Sequence, residues 1–597
     1  MKKDVKAAID QKNIKKDSMV HNSAAGLIAT AIYLASRLLI TPYVLTCLSL
    51  EEFGLWSICF VILSYVALGA FGVNTAYIRY CAQYLREGQH NKINSLFSTG
   101  IICMAVLCSL FVLVLYLLLP FLHQLFNIEP VLRPLASFMF IGTALIFCFD
   151  LTVGCFRSLL EGMQRLVIVN KITTLASFFE IAAILILLYM GVGLQGMLYA
   201  YVIRTLITTL LCMVVAFRLL PSLRLSPALF NREHFQQLFV YGGKMQVLGG
   251  IAMFLSSLDR MIISVVIGLS AAGLFEIGRK FPYTARSVSG AAFGAFLPRA
   301  AQLGGGWERD EIITPRKRAL NYLEIILFAF FLSVVPLFFW CGLTAQQFTP
   351  SLAFILAVSA AGISLVFGIR IRNTSLLQDR INDPQMRTLY LQGIRHINIL
   401  NFTLFLFLLP VAPVLIRAWV GEGYESGVPV MIFLALTYMI HQGTGPVGLI
   451  FRGIDRSGRE LEYLLVQLVL VLAWLPVAAL QYQLTGTVLA IMGSTLASSF
   501  FFFWRSNFVF QVGWGEFVRK TMVPGLVPAA SALVVYLLLP LVPYNGRIAD
   551  AVTVIASGVL YLGLTLPLLW KLVLTDDERE TAMGLIPSFL RKTSAAS

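Results

Sequence analysis

Uninterrupted apolar runs of about 20 residues recur from one end of this sequence to the other, each long enough to cross a ~30 Å hydrocarbon core as a helix. Inside lipid a backbone has to satisfy its own N–H and C=O groups, which leaves only helices and closed barrels. The runs are continuous rather than alternating, which excludes a barrel. Only 13% of the residues are charged, against about a quarter in a soluble chain, so most of the surface faces lipid. The fold class is therefore an all-α polytopic membrane protein.

Walking the runs gives helices at 23–46, 53–76, 95–120, 134–157, 168–190, 193–218, 237–267 and 271–300. A second series falls at 318–343, 349–370, 395–419, 427–453, 460–481, 484–511, 521–543 and 549–573. That is about sixteen transmembrane helices, with fourteen as the runner-up. The connecting loops test the order. Basic clusters at Arg79–Lys92, Arg157–Lys171, Arg218–Arg232, Arg316–Arg318, Arg370–Arg387, Arg452–Arg459, Arg505–Lys520 and Lys571–Lys592 occupy alternate loops. The opposite loops hold Glu51, Glu52, Glu129, Glu422 and Glu425, with Arg133, Arg417 and Arg547 as exceptions. The positive-inside rule then places both termini in the cytoplasm, in a cell inner membrane. The same loops account for most of the net charge of +15, and nucleic-acid binding is not needed to explain it.

The polar, lysine-bearing residues 1–22 form a cytoplasmic tail ahead of a retained first span. The proline-marked stretch 219–236 is expected to lie on the membrane surface as an amphipathic linker between lobes. This gives an N-lobe at 23–218 and a C-lobe at 237–511 with an inserted helix pair within 318–395. An extra C-terminal pair at 521–573 and a tail at 574–597 complete the chain. The nine cysteines mostly lie in apolar runs, form no CxxC, and read as small buried hydrophobes.

Two external turns share a pattern. Leu50-Glu51-Glu52-Phe53-Gly54-Leu55-Trp56 precedes the second helix, and Leu269-Ser270-Ala271-Ala272-Gly273-Leu274-Phe275 precedes the eighth. A glycine there is expected to give a tight helix entry, and the aromatic to sit at interface depth. Six helices per repeat would relate two pseudo-symmetric lobes by an axis along the membrane normal.

The segment Phe254–Ile263 followed by Gly268-x4-Gly273-Leu274-Phe275-Glu276-Ile277 resembles the seventh-to-eighth-helix signature of the polysaccharide and O-antigen flippases. These belong to the multidrug/oligosaccharidyl-lipid/polysaccharide exporter superfamily. Arg37–Tyr43, Glu52–Trp56 and Gly69–Arg79 are similar to that family's first two helices. Trp419–Tyr424 resembles its external turn after the ninth helix, and Phe451–Arg459 its tenth-to-eleventh inner loop. The resemblance covers roughly residues 20–510. Its third stretch falls two helices late, which is the reason for placing an inserted pair within 318–395.

Ionisable side chains at mid-membrane cost several kcal/mol unless paired or hydrated, which makes each a functional candidate. In the N-lobe these are Arg37, Asp150, Glu180 and Arg204; in the C-lobe Lys244, Asp259, Arg260, Glu276, Arg279, Lys280, Arg286 and His441. Glu276, Arg279, Lys280, Tyr283 and Arg286 form one polar stripe on an otherwise apolar helix. Structural ion pairs are the simpler expectation for Asp259 with Arg279, and for Asp150 or Glu180 with Arg204. Arg37 and Arg286 show no acidic partner at matching depth and stand as the first candidates for an anionic substrate group. Arg204, Lys244, Arg279 and Lys280 join them as basic lining residues. Asp150, Glu180, Asp259, Glu276 and His441 are the candidates for ion coupling or structural pairing, although a buried histidine is more often simply a hydrogen-bonded core residue.

No P-loop, HExxH, GxSxG or zinc-spaced Cys/His set occurs, so the reading is of a non-enzyme without cofactor or metal. What the resemblance implies is a flippase that moves a polyprenyl-phosphate-linked oligosaccharide across the inner membrane by alternating access. Its partners would be the glycolipid, membrane lipids, H⁺ or Na⁺ as coupling ion, and other polysaccharide-assembly proteins. A multidrug cation antiporter of the same superfamily is the first alternative, but it would want an acidic cavity. A membrane glycosyltransferase or polymer ligase is the second, but it would need larger outer loops.

Overall fold

The computed structural model describes residues 32–69, 72–291, 293, 296–304, 325–327, 381–454, 456–541, 546–576 and 578–580. All regular elements among them are helical. The first eleven are α1 (Ile32–Cys47), α2 (Leu50–Gly69), α3 (Val73–Arg86), α4 (His90–Leu125), α5 (Arg133–Val153), α6 (Cys155–Gly162), α7 (Leu166–Tyr189), α8 (Leu194–Leu219), α9 (Arg232–Val266), α10 (Leu269–Ala291) and α11 (Phe296–Gly304). Beyond them lie α12 (Pro384–Val420), α13 (Gly427–His441), α14 (Thr444–Gly453), α15 (Gly458–Val509), α16 (Trp514–Thr521), α17 (Leu526–Leu538) and α18 (Arg547–Leu568).

Among the described residues ten helical stretches are long and apolar enough to cross a membrane, and α1 is a shorter apolar helix. The chain is a multi-pass helical membrane protein. Apart from 325–327, the expected spans at 318–343 and 349–370, and with them most of the inserted pair, lie outside the described residues.

Several expected spans are interrupted. The run at 53–76 breaks before α3, whose N-cap Gly72 has φ 62, a left-handed conformation that glycine adopts without a steric penalty. The run at 134–157 divides at Gly154 into α5 and α6, and that at 427–453 divides at Gln442–Gly443 into α13 and α14. Hydropathy averaged over a whole span does not register such breaks, although the one at Gln442–Gly443 stands in the polar, glycine-marked run His441–Pro446. The boundary between 460–481 and 484–511 is a sharp kink within α15, where Gln483 takes φ 52.

The chain divides into two compact units, Met1–Ile277 with Leu475–Thr487, and Gly278–Trp474 with Val488–Ser597. In the first unit α7 and α8 are joined by the tight turn at Met190–Gly193, and Tyr77, Phe97 and Phe156 are packed in its core. The segment between α8 and α9 does not float. Asn94 Nδ2 donates to the Ser222 carbonyl at 3.0 Å, and Ser95 Oγ to the Leu229 carbonyl at 2.8 Å. The N–H groups of Arg224, Ser226 and Asn231 donate to Asn94 Oδ1, Ser98 Oγ and Thr99 Oγ1 at 3.0, 3.2 and 2.9 Å. Four polar side chains in the first turns of α4 thus satisfy the backbone of a stretch with only a single short 3₁₀ turn, Pro227–Leu229, of its own. The last five residues of the expected linker already belong to α9.

The two Leu-x3-Gly motifs open α2 and α10, and their glycines serve helix approach rather than helix entry. Gly54 sits against the Leu269 backbone and Gly273 against the Leu50 backbone. Phe275 is fully buried in protein.

In the second unit α12 is central and packs against α13, α16, α17 and α18. Asp383 caps it, its carboxylate accepting from the N–H groups of Gln385 and Met386, with Pro384 in the first helical position.

Candidate functional site

Glu180 lies nine residues before the end of α7 and Arg204 ten residues after the start of α8. At ~1.5 Å per residue both stand about 14 Å from the turn that joins these helices, which is mid-membrane depth. α1 brings a third charge to that level. Arg37 Nη2 donates to Glu180 Oε1 at 2.6 Å, and Arg204 Nε stands 3.6 Å from Glu180 Oε2. The Glu180 side chain is 3% exposed, those of Arg37 and Arg204 22% and 29%. A buried carboxylate therefore faces two guanidiniums that both keep an accessible edge.

Tyr33, one helical turn before Arg37, completes the cluster. Its ring lies under both guanidiniums, 5.2 Å from Arg37 and 5.3 Å from Arg204, within the range where a cation is drawn to an aromatic face. The Tyr33–Arg37 spacing of four was visible in the sequence and is the signal that could have found it. Asp150 stands apart. It accepts from Thr209 Oγ1 at 3.5 Å and makes no ion pair within 4 Å with a described residue. The expectation of an unpartnered Arg37 is corrected here, because matching by depth along the chain says nothing of which helices are lateral neighbours.

In the same unit Arg260 Nη1 lies 3.5 Å from Glu276 Oε1, which also accepts from Ser57 Oγ at 3.2 Å. Asp259 accepts from the N–H of Arg260 at 2.7 Å. Both carboxylates are buried. Lys244 is on α9, and its side chain lies outside the described residues.

The second unit holds the other candidate cation. Arg286 is half-buried and stacks on Tyr438 of α13 at 5.0 Å. No carboxylate among the described residues comes within ion-pair distance of it. Gln442 Nε2 donates to the Arg286 carbonyl at 2.8 Å, which ties the end of α13 to this turn of α10. His441 is hydrogen-bonded through Nδ1 to Ser499 Oγ at 3.2 Å, with the Tyr463 ring 6.2 Å away. Arg279 stacks on Tyr283, again at a spacing of four, with a ring distance of 5.0 Å, and Lys280 is half-buried on the same helix. Each exposed arginine edge thus comes with an aromatic face, an arrangement that favours planar, bidentate recognition of a phosphate or carboxylate.

Residues 22–303 match the family described as "Polysaccharide biosynthesis protein". No curated protein matches the chain in sequence. In structure it is similar to the lipid II flippase MurJ in an inward closed conformation, with a TM-score of 0.59 and 10% identity over 93% of this chain and 100% of that one. A weaker likeness is to an inward-facing multidrug resistance MATE family transporter of the MOP superfamily, with a TM-score of 0.46 and 13% identity over 80% of this chain and 93% of that one. Residues 22–303 are thus similar to the polysaccharide biosynthesis protein family, and the helices of the chain take a fold like that of MurJ.

Proposed function

We propose that this protein is a flippase for a polyprenyl-phosphate-linked oligosaccharide or polysaccharide precursor, working by alternating access in a cell inner membrane with both termini in the cytoplasm. The observation that carries the reading is the pair of half-buried arginines, Arg37 and Arg286, each with its guanidinium against a tyrosine face at membrane depth. Arg286 has no carboxylate within ion-pair distance among the described residues and Arg37 shares its one, Glu180, with Arg204, so each leaves room for a further anion, and a phosphate accepts two parallel hydrogen bonds from a guanidinium. The balance of membrane-embedded charge in these clusters is basic, which disfavours a cation antiporter. The family match and the fold likeness support the lipid-linked class of substrate.

The test is transport of a fluorescent polyprenyl-diphosphate sugar in proteoliposomes, read by dithionite access. Arg37→Ala and Arg286→Ala should each remove most of the activity, with insertion and monodispersity unchanged. Wild-type rates in both variants would sink the assignment.

A further inference from the structure

We infer that Glu180 is a resident anion holding the place of the substrate's phosphate, and that Arg204 is a positioning residue which releases Arg37 to the substrate by taking Glu180 over. This deepens the flippase reading and rests on it.

The argument starts from charge counting. One carboxylate, Glu180, serves two guanidiniums, so the cluster carries one more cation than its anion neutralises. The two contacts are unequal. Arg37 holds Glu180 in a charge-assisted hydrogen bond at 2.6 Å, while Arg204 waits at 3.6 Å, one ångström farther away and just beyond hydrogen-bond range. Tyr201 on the same turn of α8 is buried, and Asp150 on α5 is engaged by Thr209. Neither competes for Arg37.

A buried carboxylate cannot be abandoned, since breaking one side of a buried ion pair leaves an uncompensated charge and is strongly destabilising. With Arg37 alone, an arriving phosphate would have to meet that cost in full. With Arg204 present it does not. Arg204 closes the remaining ångström onto Glu180 as Arg37 turns its fork to the phosphate oxygens, and no charge is stranded at any stage. Tyr33 lies under both guanidiniums at nearly equal distance, 5.2 and 5.3 Å, so the exchange takes place over one ring face. No bond is made or broken covalently, and no proton moves.

The test uses the purified full-length chain and geranylgeranyl diphosphate as the probe, with Kd read from intrinsic tryptophan fluorescence. Glu180→Gln removes the competing anion and should bind about tenfold tighter, the equivalent of one charge-assisted hydrogen bond. Arg204→Gln leaves Arg37 locked on Glu180 and should bind about tenfold weaker. The double variant Glu180→Gln/Arg204→Gln should regain the tight binding, because Arg37 no longer needs to be released. A merely structural Arg204 would not be rescued in this way. If Arg204→Gln does not fold, Arg204→Lys carries the same arm, weaker than wild type and restored by Glu180→Gln. Unchanged affinity in the Arg204 variant, or a double variant no better than the single, overturns the relay. Should Arg37→Ala bind like wild type, it is the flippase site itself that falls.

Discussion

The carbonyl oxygen of Leu269 lies 2.0 Å from where a Cβ on Gly54 would stand, and the relation is reciprocal, with the Leu50 carbonyl 2.6 Å from the corresponding point on Gly273. Each Leu-x3-Gly motif therefore supplies the leucine for the other's glycine. Backbone atoms cannot swing aside as a flexible side chain can, so Gly54→Ala or Gly273→Ala should cost about 1–3 kcal/mol through overpacking. Gly563→Ala in α18, where nothing lies within 4 Å, should be near neutral. Thermal unfolding in detergent compares the three, and equal midpoints would refute the contact.

Arg37→Lys keeps the charge and loses the planar fork. It should retain partial transport, whereas Arg37→Ala loses roughly tenfold or more, and the same order should hold at Arg286. Initial flipping rates at matched protein density are the measurement. A lysine variant as poor as alanine at both positions would mean that bidentate geometry, not charge, is the whole requirement.

The C-terminal end of the described chain is latched to α12 by an acid. Glu578 accepts two hydrogen bonds from Arg395, at 3.1 and 3.2 Å, lies 2.8 Å from His396 Nε2, and accepts the Thr575 N–H at 2.9 Å. Partial burial pushes the Glu578 carboxyl up, but the Thr575 N–H, Arg395 and His396 outweigh it and leave it lowered to about 2. A depressed carboxyl stabilises the folded form fully above the unfolded value near ~4.3, and that contribution is lost as pH falls from there toward 2. Hydrogen exchange of 574–580, taken relative to the intrinsic rate at each pH, should hence rise below about pH 4 and not between pH 5 and 8. Glu578→Gln should raise it at every pH. The latch ties only the end of the described chain to α12, so the effect stays local.

Asn94→Ala removes both a donor to Ser222 and an acceptor for Arg224. Losing two hydrogen bonds at a partly buried site should cost about 1–3 kcal/mol. The first sign should be proteolytic nicking within 220–231. Resistance equal to wild type would show that the remaining three bonds suffice.

Much of this was legible before any coordinates. Continuous apolar runs dictate spans because lipid leaves a backbone no other choice, and α4, α7 and α8 fall where the runs do. What hydropathy lacks is azimuth. It fixes the depth of Arg37, Glu180 and Arg204 but not that α1 stands beside α7, which is the fact that pairs them. Tyr33 was within reach, four residues before Arg37. Gly154 was not, since a lone glycine in an apolar helix leaves little mark in hydropathy, whereas the break at Gln442–Gly443 stands in the polar, glycine-marked run His441–Pro446. The glycines of the repeat were found as a pattern and given the wrong task, because a turn and a close helix contact ask for the same residue.

The strap of α4 over the segment between α8 and α9 bears on how such a molecule can be divided. A joint between two repeats is usually the natural place to cut a chain or insert a tag. Here the residues from Ser222 to Asn231 are held by Asn94, Ser95, Ser98 and Thr99, so the thread between α8 and α9 is stitched onto α4. A split gene would reassemble best with the whole thread left on the first fragment and the second fragment starting at Arg232, where α9 begins.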